Sequence, residues 1–509
     1  MKKTRLFALL LACLFLVLPL SACDGGGGDD IDGGGIEDDG SISWEDVDFQ
    51  GTTVKFAISK YKSAEVTFKA ANEYLQGPDG SSTDEVLKRV KTRNTKVEND
   101  LNLKVEYIHL DLKYDEIFGD IETKVLGSSE DAPDVYNNDM YGLNRALIAG
   151  YLMNLVNPTD KDGNPVTSYF DFNYEGWNYD FMQNATFDAS KVYILSGDYY
   201  LDMIRMAWVL YVNKTMFNQN ASMLGAKDVN EFYEYVLDGI WDYEMLTDMC
   251  SKVWQDNGSV RDKADKEDGR VGLAINHIAD WIFPAATGLT PFYLDEDGRA
   301  KQIADIDEYN RMGNAFRTIY CSGFLGEGIF WQEEVLSSTE CFLSGKFLFA
   351  QSVLGELESE ELRDVSFEKG LVPLPKYDQQ RQEDYHTMVH DQTELGAILV
   401  TTTSFGRASA FMQYANEESK PVLTEYYEFS LKFKYNEDPA IRSMIDLVYN
   451  TIDSPFGMQF ELIILEYGDS LTPLYEGIFY NSLSRKFDGN KTAYQSALDK
   501  ALVEFAKIR

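Results

Sequence analysis

Histidine and cysteine are scarce in this chain of 509 residues, which contains 4 histidines and 5 cysteines. So few histidines leave general-base catalysis with few obvious carriers. The cysteines form no CxxC pair, so we expect no zinc site built on thiolates. Beyond residue 23 the cysteines are Cys250, Cys321 and Cys341. An odd number argues against a disulfide framework, although one pair among the three stays open.

Common catalytic and metal-binding motifs are missing as well. There is no GxSxG nucleophile elbow, and the SGK at 344–346 lacks the upstream glycine of a phosphate-binding loop. His386 and His390 stand four residues apart, but the zinc-protease motif HExxH needs a glutamate where Thr387 lies. We therefore expect no enzyme, no cofactor and no metal site. The 84 acidic residues could still supply a catalytic carboxylate pair, so a surface glycoside hydrolase or lyase is the alternative.

Positively charged residues are also scarce. Lysine and arginine number 46 against 84 acidic residues, which gives a formal net charge of −38 at pH 7. So acidic a chain does not bind nucleic acid or an anionic membrane through its overall field. Hydrophobic residues, at 44% of the chain, are sufficient for a core, and aromatic residues reach 13%. The length alone predicts two or three domains.

The N-terminus has the features of an export signal. Basic residues at the start precede an unbroken apolar run at 6–20, which is shorter than the roughly 20 residues of a membrane span. The LSAC at 20–23 resembles the lipobox of bacterial lipoproteins, in which cleavage leaves the cysteine first and lipid on its sulfur. We expect 1–22 to be a signal peptide and Cys23 to carry lipid. An ordinary secretory signal is the alternative.

The segment 23–45 is rich in glycine and aspartate and has too few apolar residues to fold. We expect it to be a flexible tether that holds the folded body away from the membrane. The predicted location is therefore the extracellular face of the bacterial cell membrane, with the N-terminal lipid as the sole membrane contact.

Strand and helix patterns alternate after the tether. VKFAIS at 54–59 predicts a buried strand, 84–99 an amphipathic helix and the alternating LKVEYIH at 103–109 a second strand. A helix at 115–126 and a strand within 133–139 follow. This order is typical of a parallel α/β sheet, in which ligands bind beyond the carboxyl ends of the strands. After residue 403 the pattern is mostly helical.

The chain from about residue 56 onward resembles the bacterial extracellular solute-binding proteins of family 1, the carbohydrate-binding lipoprotein partners of ABC importers. The segments that carry the resemblance, in chain order, are PDVYNNDMYGLNRALIAGYLMNL (133–155), KVYILSGD (191–198), WVLYVNKTMF (208–217), WDYEML (241–246), FLSGKFLFA (342–350), KGLVPLPKYD (369–378) and VLTEYYEFSLKFKYNEDPAIRSMIDLV (422–448). Their order and spacing make the resemblance strong, although no single segment is specific.

The resemblance implies an α/β, two-lobe periplasmic-binding-protein-like fold of type II, in which crossing strands join the lobes and a ligand cleft lies between them. The first crossing is expected near 191–195, the second near 396–400 and the third in the helical C-terminal part. Lobe 1 would comprise 46–193 plus 396–450, and lobe 2 would comprise 194–395 plus 451–509.

A neutral sugar offers weakly polar faces to aromatic rings and hydroxyl edges to side chains such as Asp, Asn and His. We therefore look for aromatic and polar residues in loops at strand ends. The candidate ligand-binding residues are Trp177, Asn178, Asp198, Trp208, Trp281, Asp139, Tyr136, Tyr385 and His386. The resemblance places the segments of Trp177 and Asp198 at the cleft. Because tryptophan is more often a core residue than a stacking platform, core packing is the alternative for each tryptophan.

The leading hypothesis is a monomeric binding protein that captures a sugar or oligosaccharide and delivers it to the permease subunits of an ABC importer. A sensor that reports ligand to a membrane kinase is another hypothesis, beside the hydrolase or lyase. A peptide, polyamine or metal ligand also stays open, and no nucleic-acid partner is expected.

Overall fold

A computed structural model describes residues 32–37, 40–59, 72–113, 116–127, 132–160, 162–255, 269–276, 282–303, 306–325, 329–332, 338–434, 438–454, 456–466 and 483–508. The expected signal peptide, Cys23 and Trp281 lie outside these ranges. Within the described ranges, no helix has both the length and the hydropathy needed to cross a membrane.

The strands come from both halves of the chain and form two main sheets and one two-stranded sheet. Their bounds are β1 (Thr52–Ser59), β2 (Leu103–Leu110), β3 (Val135–Asp139), β4 (Trp208–Asn213), β5 (Val271–Asn276), β6 (Phe292–Leu294), β7 (Ala300–Gln302), β8 (Ile329–Gln332), β9 (Phe347–Val353), β10 (Lys369–Val372) and β11 (Glu394–Ile398).

Helices connect and cover the sheets. Their bounds are α1 (Asn72–Gln76), α2 (Glu85–Asp100), α3 (Ile117–Leu126), α4 (Met140–Ile148), α5 (Tyr179–Asn184), α6 (Asp202–Arg205), α7 (Lys214–Leu224), α8 (Val229–Leu237), α9 (Tyr243–Val253), α10 (Ile282–Ala285), α11 (Ile306–Leu325), α12 (Ser338–Leu343), α13 (Glu360–Arg363), α14 (Phe405–Glu417), α15 (Lys420–Thr424), α16 (Pro439–Asn450), α17 (Phe456–Glu466) and α18 (Leu483–Phe505). Two 3-10 turns, Trp44–Asp46 and Leu354–Glu358, and a π-helix, Glu425–Lys434, are also described.

The first sheet has the strand order β11-β3-β1-β2. β1 runs parallel to β2 and β3, as the order of alternating strands and helices predicts. β11 is antiparallel to β3. The helix predicted at 84–99 is α2, whose N-cap Asp84 accepts the backbone N–H of Val86 and whose Val90 is fully buried. The carboxyl ends of β1 and β3 therefore meet at one edge of the sheet.

The second sheet has the order β10-β4-β9-β5-β8. β5 is parallel to β8 and β9, whereas β4 is antiparallel to β9 and β10. β4 is buried along its whole length, which explains why its sequence WVLYVN is almost continuously apolar rather than alternating. Asn213 ends this strand and its side chain accepts the N–H of Met216, which begins α7.

Three segments run side by side between the two sheets, and we call them the first passage (196–207), the second passage (386–393) and the third passage (451–453). The first passage begins beside β11, where Leu195 and Gly396 exchange backbone hydrogen bonds of 2.7 and 3.1 Å. This isolated bridge lies at the end of 191–195, where the first crossing is expected, and pairs it with β11 of the first sheet.

Backbone hydrogen bonds also join the passages to one another. The N–H of His390 donates to the carbonyl of Met206 at 2.9 Å, which holds the first passage against the second. The N–H of Thr387 donates to the carbonyl of Thr451 at 2.7 Å, which holds the second against the third. The two sheets are thus joined by adjacent strands of chain, an arrangement that permits hinge rotation.

The expected division of the chain between the lobes stays a prediction. α16, which that division gives to lobe 1, packs against β10 and α8 beside the second sheet. α17 and α18 pack against α4 of the first sheet. The third passage therefore connects a helix on the second sheet with helices on the first.

The C-terminal part of the expected tether packs on the folded body. The Trp44 ring stacks on Tyr414 with 4.7 Å between ring centroids. Its indole N–H donates to a carboxylate oxygen of Glu417 at 2.8 Å. Residues close to Trp44 thus belong to the body, because one large aromatic ring gives a glycine-rich segment a surface to bury.

Candidate ligand-binding site

A cavity of about 400 Å³ lies where the first and third passages meet α5 and the loop before it. We call it the passage cavity. Its lining residues are Trp177, Asn178, Tyr179, Asp180, Phe181, Gly197, Asp198, Tyr200, Met203, Ile204, Leu423, Tyr449 and Ile452. The structure thus brings together three of the candidates from the sequence, Trp177, Asn178 and Asp198.

Backbone pairing at the edge of the first sheet builds one wall of the passage cavity. The N–H of Asn178 donates to the carbonyl of Ser196 at 2.9 Å, and the N–H of Asp198 donates to the carbonyl of Gly176 at 2.8 Å. A Cβ atom on Gly197 would lie 2.5 Å from that Gly176 carbonyl oxygen, so a glycine is required for the two segments to approach this closely.

Asp198 is the titratable group of this wall that lacks a hydrogen bond. Its side chain is half-buried, and its carboxylate accepts none from the residues that the structure describes. Burial raises the pKa of Asp198 to about 6, Lys420 lowers it and Glu175 raises it further. A desolvated acceptor without a donor is a group that a ligand hydroxyl could satisfy.

Trp177 is more deeply buried than a stacking platform would be, with 4% of its surface exposed. Its indole N–H donates to Oε1 of Gln413 at 2.9 Å, and its ring contacts Phe170 and Phe172 edge to face. Trp177 therefore contributes a small part of the cavity wall and packs mainly into the first lobe.

Two tyrosines that sequence reasoning missed offer more ring surface to the cavity. Tyr179 and Tyr449 line it and are half-buried. Tyr179 stacks on Phe172, and Tyr449 packs on Tyr427 with 4.6 Å between ring centroids. Tyr179 follows Asn178 directly, so the quoted loop contained its signal. Tyr449 is supplied by α16, whose packing the local sequence does not reveal.

Asp139, the last residue of β3, and Trp208 both lie near His390. The Trp208 ring stacks on the imidazole of His390 with 5.1 Å between centroids. Burial raises the pKa of Asp139 to about 7, the N–H of Gly142 lowers it and the charge of Asp391 raises it. Within the part of the chain that the structure describes, the buried indole N–H of Trp208 has no hydrogen-bond partner.

The remaining described candidates have protein partners. The hydroxyl of Tyr136 donates to Asp120 at 2.7 Å, and the hydroxyl of Tyr385 donates to the carbonyl of Val236 at 2.9 Å. Nδ1 of His386 lies 3.0 Å from a carboxylate oxygen of Asp453, across the second and third passages. Tyr136 and Tyr385 lie in the cores beside the first and second sheets.

His386 and His390 face different neighbours rather than a shared metal position. Among the described residues, no three His, Cys, Asp or Glu side chains lie close enough to hold a metal ion. Cys250 and Cys341, which are both described, are buried and unpaired.

No protein-family model and no curated protein matches this chain. Solved structures do match it. One is the galacto-N-biose-/lacto-N-biose I-binding protein of the ABC transporter from Bifidobacterium longum, at 12% identity and a TM-score of 0.52, covering 90% of this chain and 98% of that one. UgpB from Mycobacterium tuberculosis, in complex with glycerophosphocholine, matches at 14% identity and 0.51, covering 83% and 100%.

The GacH receptor of Streptomyces glaucescens, solved without ligand and with acarbose, matches at 13% identity and a TM-score of 0.50, covering 90% of this chain and all of that one. At such identities the likeness concerns the fold. It confirms the expected α/β architecture: the chain has the two-lobe fold of extracellular solute-binding proteins.

Proposed function

We propose that this protein captures a sugar or oligosaccharide outside the cell and delivers it to an ABC importer. The observation that carries the proposal is the fold, in which two sheets are joined by three adjacent passages. The match covers almost the whole length of a sugar-binding protein of an ABC transporter. A chain with this fold supplies affinity, and hinge rotation about the passages would enclose the ligand.

The passage cavity is our proposed binding site. Asp198 would accept hydrogen bonds from sugar hydroxyls, Asn178 would bond a second edge, and Tyr179 and Tyr449 would pack on the C–H faces. Its volume of about 400 Å³ is within the usual range for small-molecule sites. Trp177 would close one side of the cavity.

Asp139 and Trp208 are proposed as a second set of ligand contacts near His390. Trp281 stays a prediction. Tyr136, Tyr385 and His386 remain proposed site residues as well, although each has a protein partner that accounts for its position.

The charge of the cavity favours a neutral sugar over a phosphate-bearing solute such as the one in the M. tuberculosis structure. Asp198 is half-buried, and the nearby charges oppose each other, since Lys420 lowers its pKa and Glu175 raises it to a smaller extent. A phosphate group in direct contact with the Asp198 carboxylate would be repelled by it.

The proposal also includes the cell-surface location: a lipid on Cys23, attachment to the outer face of the membrane through that lipid, a monomeric body and contact with permease subunits. Hydrolysis and signalling to a kinase are separate functions that the same fold could serve, and turnover distinguishes the first of them.

The test is thermal unfolding of the chain from residue 24 onward, produced without the expected signal peptide and Cys23, against a panel of sugars and of phosphate-bearing solutes. A ligand at one hundred times its Kd adds about 2.7 kcal/mol to the free energy of unfolding, which raises Tm by roughly 2–4 °C in a protein of this size. We expect one class of sugar to give this shift and to be recovered unchanged.

The matched variant is Asp198→Asn, which keeps the shape of the site. The rise in Tm that the sugar causes should be smaller in this variant than in the wild type. The absence of a shift with every sugar would contradict the carbohydrate proposal. Recovery of cleaved sugar would replace binding with hydrolysis.

A further inference from the structure

A buried arginine in the first passage lies between two carboxylates. Arg205 is fully buried. Its Nη1 lies 2.6 Å from Oδ1 of Asp202 and its Nε lies 2.9 Å from Oε1 of Glu358. Burial acts to lower the pKa of Arg205, but the charges of Glu358 and Asp202 outweigh it and raise that pKa. The guanidinium is therefore a fixed cation.

Two tyrosine hydroxyls complete the group, and we call these five residues the Arg205 cluster. Tyr426 of the π-helix donates to Oε1 of Glu358 at 2.7 Å. Tyr74 of α1 donates to Oε2 of Glu358 at 3.2 Å, and its ring lies 4.3 Å from the guanidinium carbon of Arg205. Both oxygens of one carboxylate are thus occupied by donors from distant parts of the chain.

Tyr74 is fixed to the first lobe. Arg93 on α2 donates to the carbonyl of Leu75, next to Tyr74, at 3.1 Å and to the hydroxyl of Ser419 at 3.0 Å. The guanidinium of Arg93 also lies over the ring of Tyr199 at 4.1 Å. These contacts hold α1 against α2 and the start of the first passage.

Glu358 is fixed to the second lobe. It ends the 3-10 turn that follows β9, and the N–H of Leu354 in that turn donates to the carbonyl of Ala207 at 2.8 Å. Ala207 directly precedes β4 of the second sheet. Rotation of the lobes about the passages would therefore separate Tyr74 from Glu358, while leaving Glu358 beside Arg205.

We propose that Tyr74 and Glu358 form an interlobe latch, positioned by Arg205, that holds the two lobes together at this contact. Oε2 of Glu358 also accepts a longer bond of 3.4 Å from Nη2 of Arg205. Separation of Tyr74 would leave this desolvated oxygen with the longer bond alone, so opening costs free energy. The inference relies on the proposed function for its ligand, but lobe closure can be measured without any ligand.

The test compares Tyr74→Phe with the wild type and with Tyr414→Phe in the full mature chain. Tyr74→Phe removes one hydroxyl and keeps the ring under Arg205. Tyr414→Phe removes a hydroxyl that donates to Asp100 at 2.7 Å within the first lobe, so it controls for the loss of a tyrosine–carboxylate bond as such.

Small-angle X-ray scattering of the ligand-free proteins should give a larger radius of gyration for Tyr74→Phe than for the other two. For any sugar that the wild type binds, the Kd of Tyr74→Phe should be about 3- to 10-fold higher, which is the range for the loss of one net hydrogen bond. Equal radii together with equal Kd values in Tyr74→Phe and Tyr414→Phe would overturn the latch.

Glu358→Gln provides a second measurement, because it keeps a hydrogen-bonding group of the same shape and removes the charge. Its radius should also exceed that of the wild type. If no sugar binds the wild type, the scattering comparison still decides on the latch, and the failure falls on the proposed function alone.

Discussion

Two acidic sites on the same passage differ in how their carboxylates are satisfied. In the Arg205 cluster, Glu358 accepts hydrogen bonds from an arginine and two tyrosines. In the passage cavity, Asp198 accepts none from the described residues and borders about 400 Å³ of space. Buried polar groups in native proteins are nearly always paired. The difference therefore separates a site that the protein completes from the proposed binding site, which a ligand would complete.

The largest expected loss in the free energy of unfolding comes from a substitution in the Arg205 cluster. Arg205→Met would leave Glu358 and Asp202 buried without their cation. We expect a loss of about 3–5 kcal/mol in the free energy of unfolding, as for other buried ion pairs that lose one partner. Urea unfolding of the variant and the wild type at pH 7 measures this loss.

Arg93→Met is the matched control for that prediction. Arg93 is also buried, at 3% exposed, but its hydrogen-bond partners are neutral: a side-chain amide, a hydroxyl and backbone carbonyls. Its removal should cost about 1–3 kcal/mol. Equal losses in the two variants would mean that the carboxylates around Arg205 are not the reason for its effect.

The next effect concerns the unsatisfied site and depends on pH. The pKa of Asp198 is raised from 3.8 to about 6, so between these values the folded state binds more protons than the unfolded state. Stability from this group is therefore present at low pH and is lost as the pH rises through about 6. Asp198→Asn should stabilise the ligand-free protein by about 1–2 kcal/mol at pH 7.

Thermal unfolding of Asp198→Asn and the wild type from pH 4 to pH 8 tests this sign. The difference between the two should disappear near pH 4, where the wild-type carboxyl is protonated. A variant that is less stable than the wild type at pH 7 would show that Asp198 has a favourable protein partner, and the contrast between the two sites would fail.

The sequence predicted most of the local structure because periodicity is a local property. The strand expected at 54–59 is β1, and the helix expected at 84–99 is α2. The sites depend on distant residues instead. Trp177 bonds to Gln413, and Glu358 bonds to Tyr74 and Arg205. The short DMIR segment of α6 places Asp202 three residues before Arg205, but it gives no signal of Glu358, which lies far along the chain.

The smallest expected change in the free energy of unfolding concerns a pair of charged side chains that is partly exposed to solvent. His386 and Asp453 join the second and third passages at 3.0 Å, with 41% and 36% of their side chains exposed. Solvent screens such a pair, so Asp453→Asn should change the free energy of unfolding by less than about 1 kcal/mol. Urea unfolding of the variant and the wild type at low and at high salt measures this change, because salt screens an exposed charge pair. A loss as large as that of Arg205→Met would mean that proximity to the hinge, rather than burial, sets the energetic importance of charges in this molecule.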